Sequence, residues 1–199
     1  MTRGLLCLLL PWCALTVTAA EAEVWPLAGL EGVSGTFVSE TQAQNPLDVM
    51  RSSGRFSSLK SDHYLWEIQT PDHQVLLVNP DGFWQLDFDL EVVIARDVPE
   101  ASELPLANIW SDPAELQVFS DKASKGQFKG ISAFNLNVLD STTLEMSIVD
   151  SLGRTTRFEL TIESTEAPDP ILFEPNIPEG VDFFDERTKR PSDKIEALR

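Results

Sequence analysis

The stretch Trp84-Gln85-Leu86-Asp87-Phe88-Asp89-Leu90 alternates apolar and polar residues without a break. Successive side chains of a β-strand point to opposite faces, so this alternation predicts a half-buried strand. Trp84, Leu86, Phe88 and Leu90 then share an apolar face, and Gln85, Asp87 and Asp89 face water. The apolar face needs a cover, either packed core or a ligand.

The pattern recurs outward from this run. Tyr64, Trp66 and Ile68 alternate with Leu65 and Glu67, and Phe134, Leu136 and Val138 alternate with Asn135 and Asn137. Leu144, Met146 and Ile148 form another set, and Phe158, Leu160 and Ile162 a further one. Turn-forming residues separate them, at Thr70-Pro71-Asp72-His73, Asn79-Pro80-Asp81-Gly82, Asp140-Ser141-Thr142 and Asp150-Ser151-Leu152-Gly153. Consecutive half-buried strands joined by short turns predict an antiparallel meander. Helical signals are sparse. Val24–Leu30 reads as a short helix and Pro99–Trp110 as a better one, with Pro99 in its first turn and Pro105 disturbing it. Ala167–Leu172 holds one further turn at most.

Residues 1–22 read as a secretory signal, with one early positive charge, a short apolar stretch and cleavage after Ala20 or Ala22. Both cysteines, Cys7 and Cys13, fall within it, so the mature chain has no disulfide or thiol chemistry. An exported chain without disulfides fits a bacterial periplasm. Residues 23–185 make one domain, and the polar residues 186–199 a mobile tail. Acidic residues number 32 against 15 Lys plus Arg, and the net charge of −17 argues against nucleic acid and anionic membrane surfaces.

Catalytic and metal-binding constellations do not emerge. His63 and His73 lack ligand partners at useful spacing. Asp87-x-Asp89-x-Glu91 has the look of a calcium-binding string but lies along a strand pattern without the glycine turn such loops need. No phosphate-cradling loop or nucleophile elbow is present. The reading is therefore a non-enzyme without cofactor or metal.

The order of the segments carries a resemblance. Ser53-Gly54-Arg55-Phe56 leads through Lys60, Tyr64 and Trp66 to Thr70-Pro71-Asp72. Val75-Leu76-Leu77-Val78, Phe83-Trp84-Gln85-Leu86 and Leu90-Glu91 follow. Asp150 to Arg157, Leu172-Phe173 and Pro178-Glu179-Gly180-Val181-Asp182 close the series. From about Leu27 to Asp185 this colinear set resembles the periplasmic outer-membrane lipoprotein carrier (LolA) family. The resemblance implies a mainly β fold with a few helices, an incomplete, strongly curved antiparallel β-barrel whose open side is covered by short helices. It implies a soluble, monomeric periplasmic carrier that binds the acyl chains of lipoproteins in an apolar concave cavity. Acylated lipoproteins would pass from an inner-membrane ABC transporter to an outer-membrane receptor.

Carried over by position, the cavity lining falls on Trp66, Ile68, Leu76, Trp84 and Leu86, and the alternating run adds Phe88. The segment Leu104–Trp110 would belong to the lid. The family's lid-latching Arg-Pro pair is replaced here by Lys60-Ser61, with Tyr64 as the following aromatic. Lysine keeps the charge but lacks the planar fork of donors, so Lys60 and Tyr64 are the candidate lid contacts. Phe134, Leu136, Val138, Phe158 and Leu160 stay open between core and ligand surface. Two alternatives stand beside this reading: a related carrier of another envelope lipid, and a non-lipid periplasmic interaction protein that uses its concave sheet.

Overall fold

A computed structural model describes residues 27–42, 48–60, 62–99 and 109–188. The first 22 residues, most of the Pro99–Trp110 segment and residues 189–199 therefore lie outside the described residues, as do Val24 to Pro26.

The strands are β1 (Gly32–Gln42), β2 (Val49–Leu59), β3 (His63–Thr70), β4 (Gln74–Asn79), β5 (Gly82–Asp87) and β6 (Val92–Arg96). After α1 (Pro113–Ser124) come β7 (Ile131–Val138), β8 (Thr143–Asp150), β9 (Thr155–Ser164) and β10 (Asp182–Asp185). They form one sheet in the order β10-β6-β5-β4-β3-β2-β1-β9-β8-β7, which is open between β10 and β7. Every neighbouring pair is antiparallel except β10, which runs parallel to β6. The expected mainly β, incomplete and open sheet is therefore the observed one.

Two glycines bend it. Gly54 of β2 faces Phe37 of β1 and Ile68 of β3, and Gly35 of β1 faces Phe56 of β2 and Ile162 of β9. The register slips at both, between Ser53 and Gly54 against β3 and between Ser34 and Gly35 against β9. Such bulges tighten local twist and bend the strand. A Cβ on Gly54 would lie 1.8 Å from the Glu67 carbonyl oxygen, and one on Gly35 1.9 Å from that of Thr161. Without side chains at these points, rings two strands apart meet. Phe37 and Trp66 stack with centroids 4.0 Å apart, whereas backbones two strands apart in a flat sheet are separated by about 10 Å. The face carrying Trp66 is therefore the inner, concave one.

The inner face holds the larger core, in which Val33, Phe37, Phe56, Trp66, Met146 and Leu160 are buried together. Leu27, Ile109 and α1 cover it, α1 through buried Leu116 and Ala123 and through Phe119, whose ring meets Phe128 and Phe134. The start of α1 is fixed by a reciprocal cap. Asp112 accepts from the N–H groups of Ala114 and Glu115 at 2.8 and 2.9 Å, and Glu115 accepts from the Asp112 N–H at 3.2 Å.

The outer face has a second core of Leu77, Trp84, Leu86, Val93 and Ala95, packed by Leu65, Val75 and Val181. The C-terminal segment clasps it. Phe173, in a 3₁₀ turn over Pro170–Phe173, is buried against His63, and its carbonyl accepts from Asn79 Nδ2 at 2.9 Å. Arg187 lies 5.3 Å over the Trp84 ring and pairs with Asp185 at 2.8 Å. Glu186 pairs with Arg96, and Thr188 donates to Asp97. Glu186 to Thr188 are thus bonded to the sheet.

At the β8–β9 turn, Asp150 accepts from the N–H groups of Arg154 and Leu152. Chiefly the Arg154 N–H holds its carboxyl below the usual carboxylate range.

Candidate functional site

The candidate site is the inner face around Trp66. The Trp66 ring is stacked with Phe37 at 4.0 Å and Phe56 at 5.7 Å, and meets Phe158 of β9 edge-on at 5.9 Å. Leu76 pairs directly with Trp66 across β3 and β4, and Ile68 pairs with Gln74 and Gly54. Tyr64 lies two pairs along from Trp66 on the same face, opposite Ser58 and Val78. The Trp110 indole Nε1 donates to Ser58 Oγ at 2.7 Å, beside Ile109, which is buried in the same core. The end of the segment expected to cover the cavity is therefore seated on the inner face.

Burial pushes the Tyr64 phenol up to about 12, with the Asp62 charge adding to it. Lys60 sits in the turn after β2, and its backbone N–H donates to the Glu31 carbonyl at 2.9 Å.

The structure divides the six expected lining residues. Trp66, Ile68 and Leu76 lie on the inner face. Trp84 and Leu86 lie on the outer one, because Leu77 pairs with Trp84 and Val75 with Leu86, and β4 alternates Leu76 inward and Leu77 outward. Gln85 and Asp87 then take the inner side of β5, where they stay partly exposed while Trp84 and Leu86 are buried. The strand itself stops at Asp87. Asp87 Oδ1 accepts from the Leu90 N–H at 2.9 Å, a side-chain bond that turns the chain. Phe88 and Leu90 consequently leave the strand, 37% and 72% exposed, and Phe88 stacks on His73 at 4.4 Å. Asp89 also serves this corner, accepting from the His73 N–H at 2.9 Å.

Alternation alone does not single out Phe37, Phe56 or Trp110. The first two carry a signal in hindsight, since each follows a bend glycine by two residues, in Gly35-x-Phe37 and Gly54-x-Phe56. Of the residues left open, Phe134, Leu136 and Leu160 are buried in the inner core, and Val138 and Phe158 pack against it.

The sequence model of the family described as outer membrane lipoprotein carrier protein LolA matches residues 28–176. The chain belongs to this family. The LolA match spans β1 to β9 and ends before β10. Relatives of the LolA type are distant but nearly full-length. The outer-membrane lipoprotein carrier protein of Bordetella pertussis is 26% identical over 183 residues, 85% of this chain and 87% of that protein. That of Shewanella sp. strain ANA-3 is 24% identical over 181 residues, 82% and 84% of the two chains. That of Legionella pneumophila strain Lens is 26% identical over 181 residues, 83% and 89%. The LolA family is one of carriers rather than enzymes.

Proposed function

We propose that this protein carries acylated lipoproteins through the periplasm, holding their acyl chains on the inner face around Trp66, Ile68 and Leu76. The first 22 residues would direct export, an inner-membrane ABC transporter would load the carrier, and an outer-membrane receptor would unload it. The observation that carries this reading is the cover of the inner face. Among the described residues it consists of α1, Ile109–Trp110 and Leu27, rather than a second sheet. Such pieces can move off while the sheet stays paired.

Each buried CH₂ is worth about 0.8 kcal/mol, so one acyl chain gains roughly 10 kcal/mol in an apolar trough. The departing cover gives up apolar contacts of a similar kind. Net affinity is then a small difference of two large terms, which partners at either membrane can tip. Lys60 and Tyr64 would stand at the rim where the cover meets the sheet, next to the Trp110–Ser58 bond. Trp84 and Leu86 would serve the outer core instead.

The test is release of a lipoprotein from spheroplasts into a soluble complex with the purified carrier. A lipoprotein that leaves the membrane and elutes with the carrier supports the proposal. Mass spectrometry of the extracted ligand distinguishes the alternatives. Free lipids without lipoprotein would make it a carrier of another envelope lipid, and a ligand without acyl chains would defeat both.

A further inference from the structure

One edge of β7 pairs with β8, and β7 is the last strand of the sheet. The ladder shows which backbone groups point where. Leu139 N–H donates to the Thr143 carbonyl at 2.9 Å. Bonded and non-bonded pairs alternate along an antiparallel ladder, so Asn135 and Asn137 bond to β8. Phe134, Leu136 and Val138 then turn their N–H and C=O groups to the open edge. Ser120 of α1 donates to the Phe134 carbonyl at 2.8 Å, which agrees with this assignment. The outward groups of Leu136 and Val138 have no such partner among the described residues.

A groove of about 250 Å³ runs between α1 and this edge. Its lining includes Leu116, Phe134 and Leu136, which also belong to the inner core, so the groove abuts the inner face. Its polar rim is Gln117, Asn135 and Asn137, and among the described residues none that lines it is charged, in a chain of net charge −17.

We propose that the β7 edge takes up an extended, uncharged polar stretch of cargo polypeptide as an added strand while the acyl chains occupy the inner face. This rests on the carrier reading and deepens it. Strand addition to a sheet edge draws affinity from main-chain bonds and so tolerates many side chains, which suits a carrier of varied cargo. The neutral rim offers a charged segment no counter-charge, and its amides serve a polar one.

Amide hydrogen exchange on the full mature chain tests it, with two probes: a triacylated peptide carrying about ten uncharged polar residues, and the same acyl chains on a glycerolipid without peptide. The expected result is exchange at Leu136 and Val138 slowed at least about tenfold by the peptide probe alone. In Val138→Pro, which removes an outward N–H and no ladder bond, retention of the peptide probe should fall several-fold more than that of the glycerolipid, and an equal fall of both overturns the proposal. Peptide loading without slowing at these amides overturns the proposal and leaves the carrier reading standing. Equal slowing by the glycerolipid overturns it too, as does slowing in the empty protein that grows with its concentration, the mark of self-pairing. Failure of both probes to load overturns the carrier reading and this inference with it.

Discussion

Gly54 shapes the inner face by having no side chain. A methyl group there meets the backbone of Glu67, which cannot step aside as a flexible side chain can. Gly54→Ala is expected to cost more than about 2 kcal/mol, in the range of overpacked core positions, and urea unfolding will read it. The loss would come from the bend, so the Phe37–Trp66 stack should loosen with it. Tyr64 offers a direct titration because it is the only tyrosine in the chain. Its phenol should ionise near 12 in the folded protein and return toward its ordinary value of 10.0 in urea. Absorbance near 295 nm follows the tyrosinate. The folded value lies above the unfolded one, so this contribution to stability is complete below pH 10 and declines as pH rises from 10 through 12. Replacing Tyr64 by Phe should remove that decline.

Among the elements, legibility followed the chemistry of the inward positions. β3, β7, β8 and β9 announce themselves because aromatic and aliphatic residues occupy every second position. β1 does not, since its inward positions include Gly35 and Ser39 beside Phe37. The helix expected over Pro99–Trp110 falls mostly outside the described residues, whereas α1 begins just after it. Its start was written in Asp112-Pro113-Ala114-Glu115, a capping residue, a first-turn proline and a returning carboxylate. That signature is local and owes nothing to apolar periodicity, so a search by periodicity passes over it. Asp112→Ala removes the half of the cap in which the Asp112 carboxylate accepts, keeps the residue-112 N–H to Glu115, and is expected to cost about 1 kcal/mol. On the carrier reading it also loosens the cover, so an environment-sensitive acyl probe should bind faster to this variant than to the parent chain. A binding rate unchanged in the face of the stability loss would count against α1 as a moving piece.

For the molecule as a whole, alternation revealed that the sheet has two unlike faces but could not say which was inner. That choice is made by pairing, because the register of β4 against β3 and β5 sends Leu76 one way and Leu77 the other. Trp84 and Leu86 were legible as buried and illegible as to where. Their cover comes from residues beyond the span matched to the family, including Val181 and Arg187. A chain ending at Asn176 should lose at least about 2 kcal/mol and bind a fluorescent apolar dye at the uncovered face. If the outer core alone is affected, acyl-probe affinity measured below the unfolding transition will not change. Burial on both sides of β3 and β4 also separates two properties that small proteins usually trade against each other. On the carrier reading, the half-barrel would surrender contacts on its inner side during each delivery and remain held together from behind. The share of durability that the outer core supplies thereby rests on residues apart from the inner face, and on the carrier reading it can be adjusted without altering the grip on cargo.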